Sequence, residues 1–159
     1  MIVISDANIF IDLYNLDMLH SLMNMDFQVA TTDLVYRELL PDQQEVISKL
    51  DIIIIDFEDN LGELYEAYAD CSTISLSIED YSLFFVAKAN DYILMSNDKR
   101  LRNYAKSKQV EVVGILYIFD TLKRSQELSN KELLKQLEKL KVSNKRLEKL
   151  ITQWVKDHF

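Results

Sequence analysis

Residues 1–13 read MIVISDANIFIDL, a short aliphatic run that passes into polar residues and then into a helical pattern. Runs of similar length and apolar character recur along the chain, at residues 28–31, 52–55, 92–95 and 110–113. Short apolar runs of this kind are typical of strands that are buried on both faces of a parallel sheet. Because helical patterns separate the runs, the sequence predicts an α/β fold with a doubly wound sheet.

The predicted helices cover residues 9–23, 34–40, 43–50, 61–69, 78–90 and 99–108. Pro41 disfavours a helical backbone at Leu40, so the second of these helices is expected to end there. With two glycines and one proline in 159 residues, the chain contains no flexible linker. Its length is that of about one domain.

Composition excludes several classes of protein. The longest purely aliphatic run, residues 52–55, is far shorter than the ~20 residues that span a bilayer, and no basic segment precedes a signal-like run. The single cysteine cannot form an internal disulfide, so we expect a cytoplasmic protein with no membrane association. With His20 and His158 as the only histidines, a Cys/His zinc cluster is excluded, and any metal must be bound by oxygen.

The formal net charge of −8 hides a strong asymmetry along the chain. Residues 1–80 carry 17 acidic and two basic side chains, net −15, whereas residues 81–159 carry 16 basic and nine acidic ones, net +7. Such asymmetry predicts one surface for cations and another for polyanions. The alternative is that both sets of charged side chains simply lie on solvent-exposed faces and bind no partner.

The last part of the chain reads as a helical extension. We expect residues 1–125 to form the main domain and residues 126–159 to pack on it or on a partner. Two similar segments begin at Ser129 and Ser143, and each serine is expected to cap a helix of a hairpin. Leucine, isoleucine and Trp154 recur at helical spacing and predict one apolar face on each helix.

Two aspartates follow predicted strands closely. Asp6 comes after the first strand, and Asp98 comes after the strand at residues 92–95. Ligand-binding residues of open α/β sheets gather at the carboxyl ends of the strands, so both side chains are candidates for a functional site. Either aspartate alone could simply cap the helix that follows it.

Two further acids are predicted to point toward the same edge. Glu38 lies three residues after Val35, on the helical stripe expected to face the sheet. Asp80 precedes an apolar stripe in its own helix, although the sequence SIED from Ser77 could instead form a capping box. In that helix, Glu79 is expected to point away from the site.

Four carboxylates in a confined site repel one another unless a cation joins them. Mg²⁺ and Mn²⁺ prefer oxygen ligands, and such ions activate water and stabilise the charge that builds up on phosphate. The acidic set therefore favours phosphodiester hydrolysis.

The motifs resemble those of PIN-domain nucleases, particularly the toxin ribonucleases of VapBC pairs, over roughly residues 1–122. The matching blocks are MIVISDANIFIDL with Asp6 and Asn8, TTDLVYREL with Glu38, LSIEDYSLFFVAKAND with Asp80, and SNDKRLRNYAKSKQVEVVGIL with Ser96 and Asp98. The resemblance implies a three-layer α/β/α sandwich around a mostly parallel sheet of about five strands, followed by the helical hairpin. It also implies metal-dependent endonucleolytic cleavage of single-stranded RNA.

The resemblance and the chemistry together suggest roles for these residues. Asp6, Asp80 and Asp98 would hold Mg²⁺ or Mn²⁺ directly or through water, and Glu38 would complete that site or hold a second ion. Asn8 and Ser96 would orient carboxylates or water. Phosphate binding is expected from the basic run that begins with Lys99, Arg100 and Arg102.

The resemblance further implies an antitoxin partner and a homodimer. An alternative is a PIN-like scaffold that binds RNA or protein without cutting it.

Other enzyme classes lack the residues they require. A phosphoaspartyl enzyme needs a second aspartate two residues after the first, where this chain has Asn8. Gly62 and Gly114 stand too far apart for either a dinucleotide-binding or a phosphate-binding glycine loop. Serine hydrolases need a histidine base, for which neither histidine has a suitable partner in the sequence.

Overall fold

The computed structural model describes residues 1–71 and 75–159 and shows within them a sheet of five parallel strands. The strands are β1 (Ile2–Ser5), β2 (Gln28–Thr32), β3 (Ile53–Ile55), β4 (Ile93–Met95) and β5 (Val112–Val113). Their order in the sheet is β3-β2-β1-β4-β5, and every neighbouring pair is parallel. All five strands predicted from the sequence are confirmed.

Helices flank the sheet in two groups. They are α1 (Ala7–Asn15), α2 (Asp33–Tyr36), α3 (Pro41–Ser48), α4 (Leu61–Ala69), α5 (Ile78–Asn90), α6 (Lys99–Ser107), α7 (Leu116–Ser125), α8 (Asn130–Ser143) and α9 (Glu148–His158). Short 3₁₀ helices cover Leu19–Asn24 and Lys145–Leu147. Helix α5 contacts α2, α4 and α6, whereas α8 contacts α1 and α7. The chain thus forms the expected α/β/α sandwich with C-terminal helices.

The central strands β1 and β4 are buried, whereas Ile53 and Ile54 of the edge strand β3 are partly exposed. Val3, Ile4 and Leu94 have no exposed surface, and Ile4 lies opposite Leu94 in the register of β1 and β4. Burying each such aliphatic side chain contributes roughly 1.5–3 kcal/mol. This apolar strip fixes β1 against β4, and thereby fixes the residues that follow each strand.

The helices differ from the sequence predictions in three places. The predicted helix at 9–23 is interrupted after α1, because Asp17 takes a left-handed backbone with φ of 55° and the amide of Met18 bonds to the carbonyl of Leu13 at 2.8 Å. Helix α7 was not predicted, since its start lies directly after β5. The helix predicted at 34–40 ends earlier, at Tyr36; Leu40 is extended, with ψ of 154°, and Pro41 begins the next helix.

The extension begins as the sequence predicts. Ser129 caps α8: its hydroxyl accepts from the amide of Glu132 at 3.2 Å, and the Glu132 carboxylate accepts from the Ser129 amide at 2.8 Å. The matching prediction for Ser143 is wrong, because Ser143 is the last residue of α8 and Asn144 begins the 3₁₀ turn instead. Local sequence similarity therefore did not mean equal local structure.

The apolar stripe of the extension is buried within the chain itself. Leu133, Leu137, Leu140 and Ile151 are fully buried. Trp154 is 7% exposed, and its indole Nε1 donates to Asp120 Oδ1 in α7 at 2.7 Å. The division into residues 1–125 and 126–159 stays a prediction. Among the residues described, no helix is long and apolar enough to cross a bilayer.

Candidate active site

The strand order reverses between β1 and β4, because the chain winds outward from β1 to β3 and then returns to β4 on the other side. Ser5 and Met95 are register partners at this junction, and the amide of Asp6 donates to the carbonyl of Met95 at 3.1 Å. Such switch points open a crevice at the carboxyl edge of a sheet. Asp6 and Ser96 stand at this crevice, and Asp98 follows closely.

Asp6 is an unusually buried carboxylate. It is 3% exposed and caps α1, with Oδ1 accepting from the amide of Ile9 at 3.0 Å and Oδ2 accepting from the hydroxyl of Ser96. Burial raises the pKa of Asp6 to about 7 against the opposing effect of these hydrogen bonds, and the charges of Asp80 and Asp98 raise it further. In the described part of the chain it has no lysine or arginine partner.

Ser96 connects the two aspartates of the junction. It is completely buried, donates its hydroxyl proton to Asp6 and accepts from the amide of Asp98 at 3.0 Å. Asp98 in turn caps α6, with Oδ1 accepting from the amide of Leu101 at 2.9 Å. One hydroxyl group therefore fixes the position of one carboxylate relative to the backbone of the other.

Asp80 enters the site from the first turn of α5. Burial raises the pKa of its half-buried carboxyl group, and the charge of Asp98 raises it further. Ser77 caps the helix by accepting from the Asp80 amide at 3.1 Å. The reciprocal bond of a capping box, from the Ser77 amide to the Asp80 carboxylate, is absent among the described hydrogen bonds. A hydrogen bond with the Ser77 side chain lowers the pKa of Asp80, so this carboxyl group contacts the helix start as well as lying close to the other acids.

Glu38 occupies a different place from the one predicted. Helix α2 ends at Tyr36, so Glu38 lies beyond the helix and is exposed instead of facing the sheet. The pKa of Glu38 is raised by desolvation, then by the charges of Glu79 and Asp80. Glu79 therefore lies close enough to Glu38 for its charge to act there, and the expectation that Glu79 points away from the site stays a prediction. Asp6, Asp80 and Asp98 come together, and Glu38 joins them only from the side of Asp80.

The oxygen atoms of these acids differ from a closed set of metal ligands. Within residues 1–71 and 75–159, no group of three or more acidic, histidine or cysteine side chains is arranged to hold an ion as it stands. Mg²⁺, however, usually takes one or two carboxylates and keeps several waters. The oxygens of the buried Asp6, the half-buried Asp80 and the exposed Asp98 fit an ion of this kind and do not fit a closed cage made of protein ligands alone.

A tight packing arrangement supports the loop after β4. Asn97 Oδ1 accepts from the amide of Ile115 at 3.1 Å, and a Cβ added to Gly114 would lie 2.5 Å from that oxygen. Arg102 donates to the carbonyl of Ser96 at 2.7 Å. Sequence reasoning missed the roles of Asn97 and Gly114. The available signal was a glycine directly after a strand in a chain that has only two glycines.

The predicted basic residues differ in their exposure and in their contacts within the protein. Lys99 and Arg100 are exposed on the first turn of α6, and Arg100 reaches the hydroxyl of Ser75 at 3.2 Å. Arg102 is half-buried and holds the Ser96 backbone, as described above. Lys99 and Arg100 are therefore surface cations beside Asp98, whereas Arg102 has a structural contact as well.

The extension forms one wall of a cleft beside the acids. The cleft has a volume of about 240 Å³ and is lined by Asn8, Asp12, Asn97, Asp98, Asn144, Arg146 and Leu147. Asn144 Nδ2 donates to Asp12 Oδ2 at 3.0 Å. Burial raises the pKa of Asp12, and the bond from Asn144 lowers it. Sequence reasoning missed both residues, because they are 132 positions apart.

Comparison with known proteins shows the family to which the chain belongs. The model of DUF3368, described as a PIN domain, matches residues 2–157. The chain belongs to this PIN-domain family. The match includes the C-terminal helices, so the family pattern extends over the extension as well as the sheet.

Two solved structures are similar to this chain at low sequence identity. VapBC2 from Rickettsia felis, solved with a DNA fragment from its promoter, is 18% identical with a TM-score of 0.50, over 72% of this chain and 98% of that one. A PilT N-terminus domain protein from Sulfolobus solfataricus P2 is 15% identical with a TM-score of 0.49, over 82% and 98% of the two chains. A search of curated proteins gave no match.

Proposed function

We propose that this PIN-domain protein is a metal-dependent endoribonuclease that hydrolyses phosphodiester bonds in single-stranded RNA. The observation that carries the proposal is the set of carboxylates at the β1–β4 junction. Asp6 is buried beside Asp80 and Asp98 and has no cationic partner in the described part of the chain. An arrangement that raises the pKa of Asp6 to about 7 is costly to keep ionised without a cation.

Asp6, Asp80 and Asp98 would hold Mg²⁺ or Mn²⁺, in part through water, and Glu38 would act from the Asp80 side. Such an ion supplies an activated water and stabilises the charge that develops on phosphate. Ser96 keeps Oδ2 of Asp6 fixed, so that the carboxylate does not have to reorganise when it binds a cation. Asn8, exposed on α1 at the cleft that includes Asp98, is in a position to orient a water or a phosphate oxygen.

The RNA strand needs positive charge beside this acidic centre. Lys99 and Arg100 supply it on the first turn of α6, directly after Asp98. Phosphate contacts of this kind position a strand without reading its sequence. Arg102 would contribute in addition to its bond with Ser96.

A protein partner is the second part of the proposal. One structure of similar fold is a VapBC2 assembly on promoter DNA. By analogy, we infer that an antitoxin would bind this chain and that the protein would act in a toxin–antitoxin pair. Homodimer formation and a cytoplasmic location stay predictions.

One observation favours a second candidate function. No three acidic groups in the described residues are arranged to hold an ion as they stand. A PIN scaffold that binds RNA without cutting it would have this property.

A cleavage assay distinguishes the ribonuclease from the RNA-binding scaffold. Purified full-length protein with Mn²⁺ should cut labelled single-stranded RNA, and EDTA should stop the reaction. Asp98→Asn should lower the rate at least ~10²-fold, since even a group that only orients a metal ligand is worth 10–100-fold. Asparagine caps helices as well as aspartate does, so α6 should remain intact. Glu111→Gln, an exposed acid outside the site, is the matched control.

Equal cleavage by wild type and Asp98→Asn would assign the activity to other residues or to a contaminant. Wild-type protein that binds the RNA but leaves it uncut with Mn²⁺ and with Mg²⁺ would favour the binding scaffold.

A further inference from the structure

Arg146 stands where two clefts meet. The smaller one, of about 240 Å³, reaches Asn8 and Asp98 at the acidic centre. The larger one, of about 450 Å³, lies toward α7 and includes Arg102, Tyr117 and Leu150 among its lining residues. Asn97, Arg146 and Leu147 line both clefts. The two clefts therefore adjoin along one side of the acidic centre.

The backbone that carries Arg146 is held on both sides. Asn144 donates to the buried Asp12 at 3.0 Å, which ties the turn to α1. Leu147 is 6% exposed and packs into the core. Arg146 lies between them in the 3₁₀ turn Lys145–Leu147, so its backbone is fixed over the carboxyl edge of the sheet.

The side chain of Arg146 is available for a ligand. It is exposed and has no ion pair among the described residues. It is the single cationic side chain that lines the smaller cleft in the described part of the chain, where Asp12 and Asp98 also stand. Asp12 is already bonded to Asn144, which leaves the guanidinium free to bind an external anion.

The larger cleft has the chemistry of a nucleotide site. Arg102 gives it a second cation, while Tyr117 and the half-exposed Leu150 give it apolar surface. Asn97 Nδ2 is buried and has no hydrogen-bond partner in the described residues. The carboxylate of Asp120 in this cleft is bonded to Trp154. Aromatic and apolar surface beside arginine suits a base and its phosphate.

We propose that the two clefts form a binding groove for the RNA segment that flanks the scissile phosphate, with Arg146 binding a phosphate of that segment. The inference rests on the proposed function, which places the scissile phosphate at Asp6, Asp80 and Asp98. The acidic centre repels the strand on its own, because like charges oppose approach. A fixed arginine beside Asp98 offsets this repulsion at the next phosphate and makes the extension part of the RNA site.

Fluorescence anisotropy of a fluorescein-labelled single-stranded RNA of mixed sequence, in EDTA, tests the groove without cleavage. Arg146→Ala should raise the Kd about tenfold and reduce the slope of log Kd against log salt by ~0.7, the value for one lost phosphate contact on a single strand. Lys145→Ala removes the same charge from an exposed neighbour that lines neither cleft. It should leave both quantities near wild type.

Wild-type affinity and salt slope in Arg146→Ala would overturn the groove, as would an equal loss in Lys145→Ala, which would indicate only general attraction. Wild-type protein with no measurable affinity for the RNA would overturn it too. A failure of the proposed function would look different: the RNA would bind through Arg146 and remain uncut when Mn²⁺ is added.

Discussion

The molecule has two groups of acids with different neighbours. Asp12 and Asp120 lie at the seam, where the C-terminal extension packs on the rest of the chain, and Asp6, Asp80 and Asp98 lie at the β1–β4 junction. At the seam, Asp12 receives a hydrogen bond from Asn144 at 3.0 Å, and Asp120 receives one from Trp154 at 2.7 Å and lies 3.3 Å from His158. At the junction, Asp6 has neutral donors but is surrounded by the like charges of Asp80 and Asp98. Each acid of the seam thus has a hydrogen-bond donor from the extension, whereas the acids of the junction have one another as charged neighbours.

We propose that this difference separates structural from functional acids in one chain. Burial raises the pKa of both Asp6 and Asp12, so burial alone does not distinguish them. The neighbouring groups distinguish them. The side-chain amide of Asn144 is a sufficient partner for Asp12, a carboxylate that joins two elements of the fold. The pKa values of Asp6 and Asp80 are raised by neighbouring negative charges as well as by burial, and a cation from outside the protein would relieve that repulsion.

The largest expected effect is at the seam. Trp154→Ala removes a buried ring and leaves Asp120 without its indole donor, so the free energy of unfolding should fall by about 3–5 kcal/mol. Urea denaturation followed by circular dichroism measures this change. Lys156→Ala, on an exposed position of α9, is the control and should change stability by less than about 0.5 kcal/mol. A loss below about 1 kcal/mol for Trp154→Ala would mean that the extension contributes little to the fold.

The next effect concerns pH at the junction. The folded pKa of Asp6 is about 7 against an ordinary value of 3.8, so the native state binds a proton more tightly than the unfolded state between these values. The free energy of unfolding in EDTA should therefore decrease as the pH rises from 4 to 7, by on the order of 3–4 kcal/mol from this group. Denaturation at several pH values should show a flatter dependence in Asp6→Asn. If the free energy of unfolding depended on pH in the same way in both proteins, the pKa of Asp6 would not be raised in the folded protein.

A smaller loss of stability is expected when the seam acid Asp12 loses its hydrogen-bond donor. Asn144→Ala removes the donor to the buried Asp12 and should cost about 1–3 kcal/mol, the penalty for a buried polar group without a partner. A double-mutant cycle with Asp12→Asn should show that the two changes are not additive. Additive changes would mean that the bond between Asn144 and Asp12 does not hold the extension in place.

The sequence predicted what local patterns encode. All five strands and the helix Ile78–Asn90 follow from apolar runs and periodicity, and the adjacency of Asp6 and Asp98 follows from strand ends in a parallel sheet. The position of Glu38 was not predictable in this way, because α2 stops after one turn and the helical stripe used to orient it does not exist. Partners far apart along the chain also leave no periodic signal. Asp12 with Asn144, and Gly114 against Asn97, are of this kind.

The most direct test of the central claim is Mn²⁺ binding to the full-length, metal-free protein at pH 7.5, measured by isothermal titration calorimetry. Wild type and Asp12→Asn should bind Mn²⁺ with the same affinity, because Asp12 is already matched by Asn144. Asp6→Asn should weaken binding by at least about 10–100-fold, the range seen when even an outer partner of a metal ligand is lost. Equal Mn²⁺ affinity in Asp6→Asn and wild type, or no binding by wild type, would contradict the account.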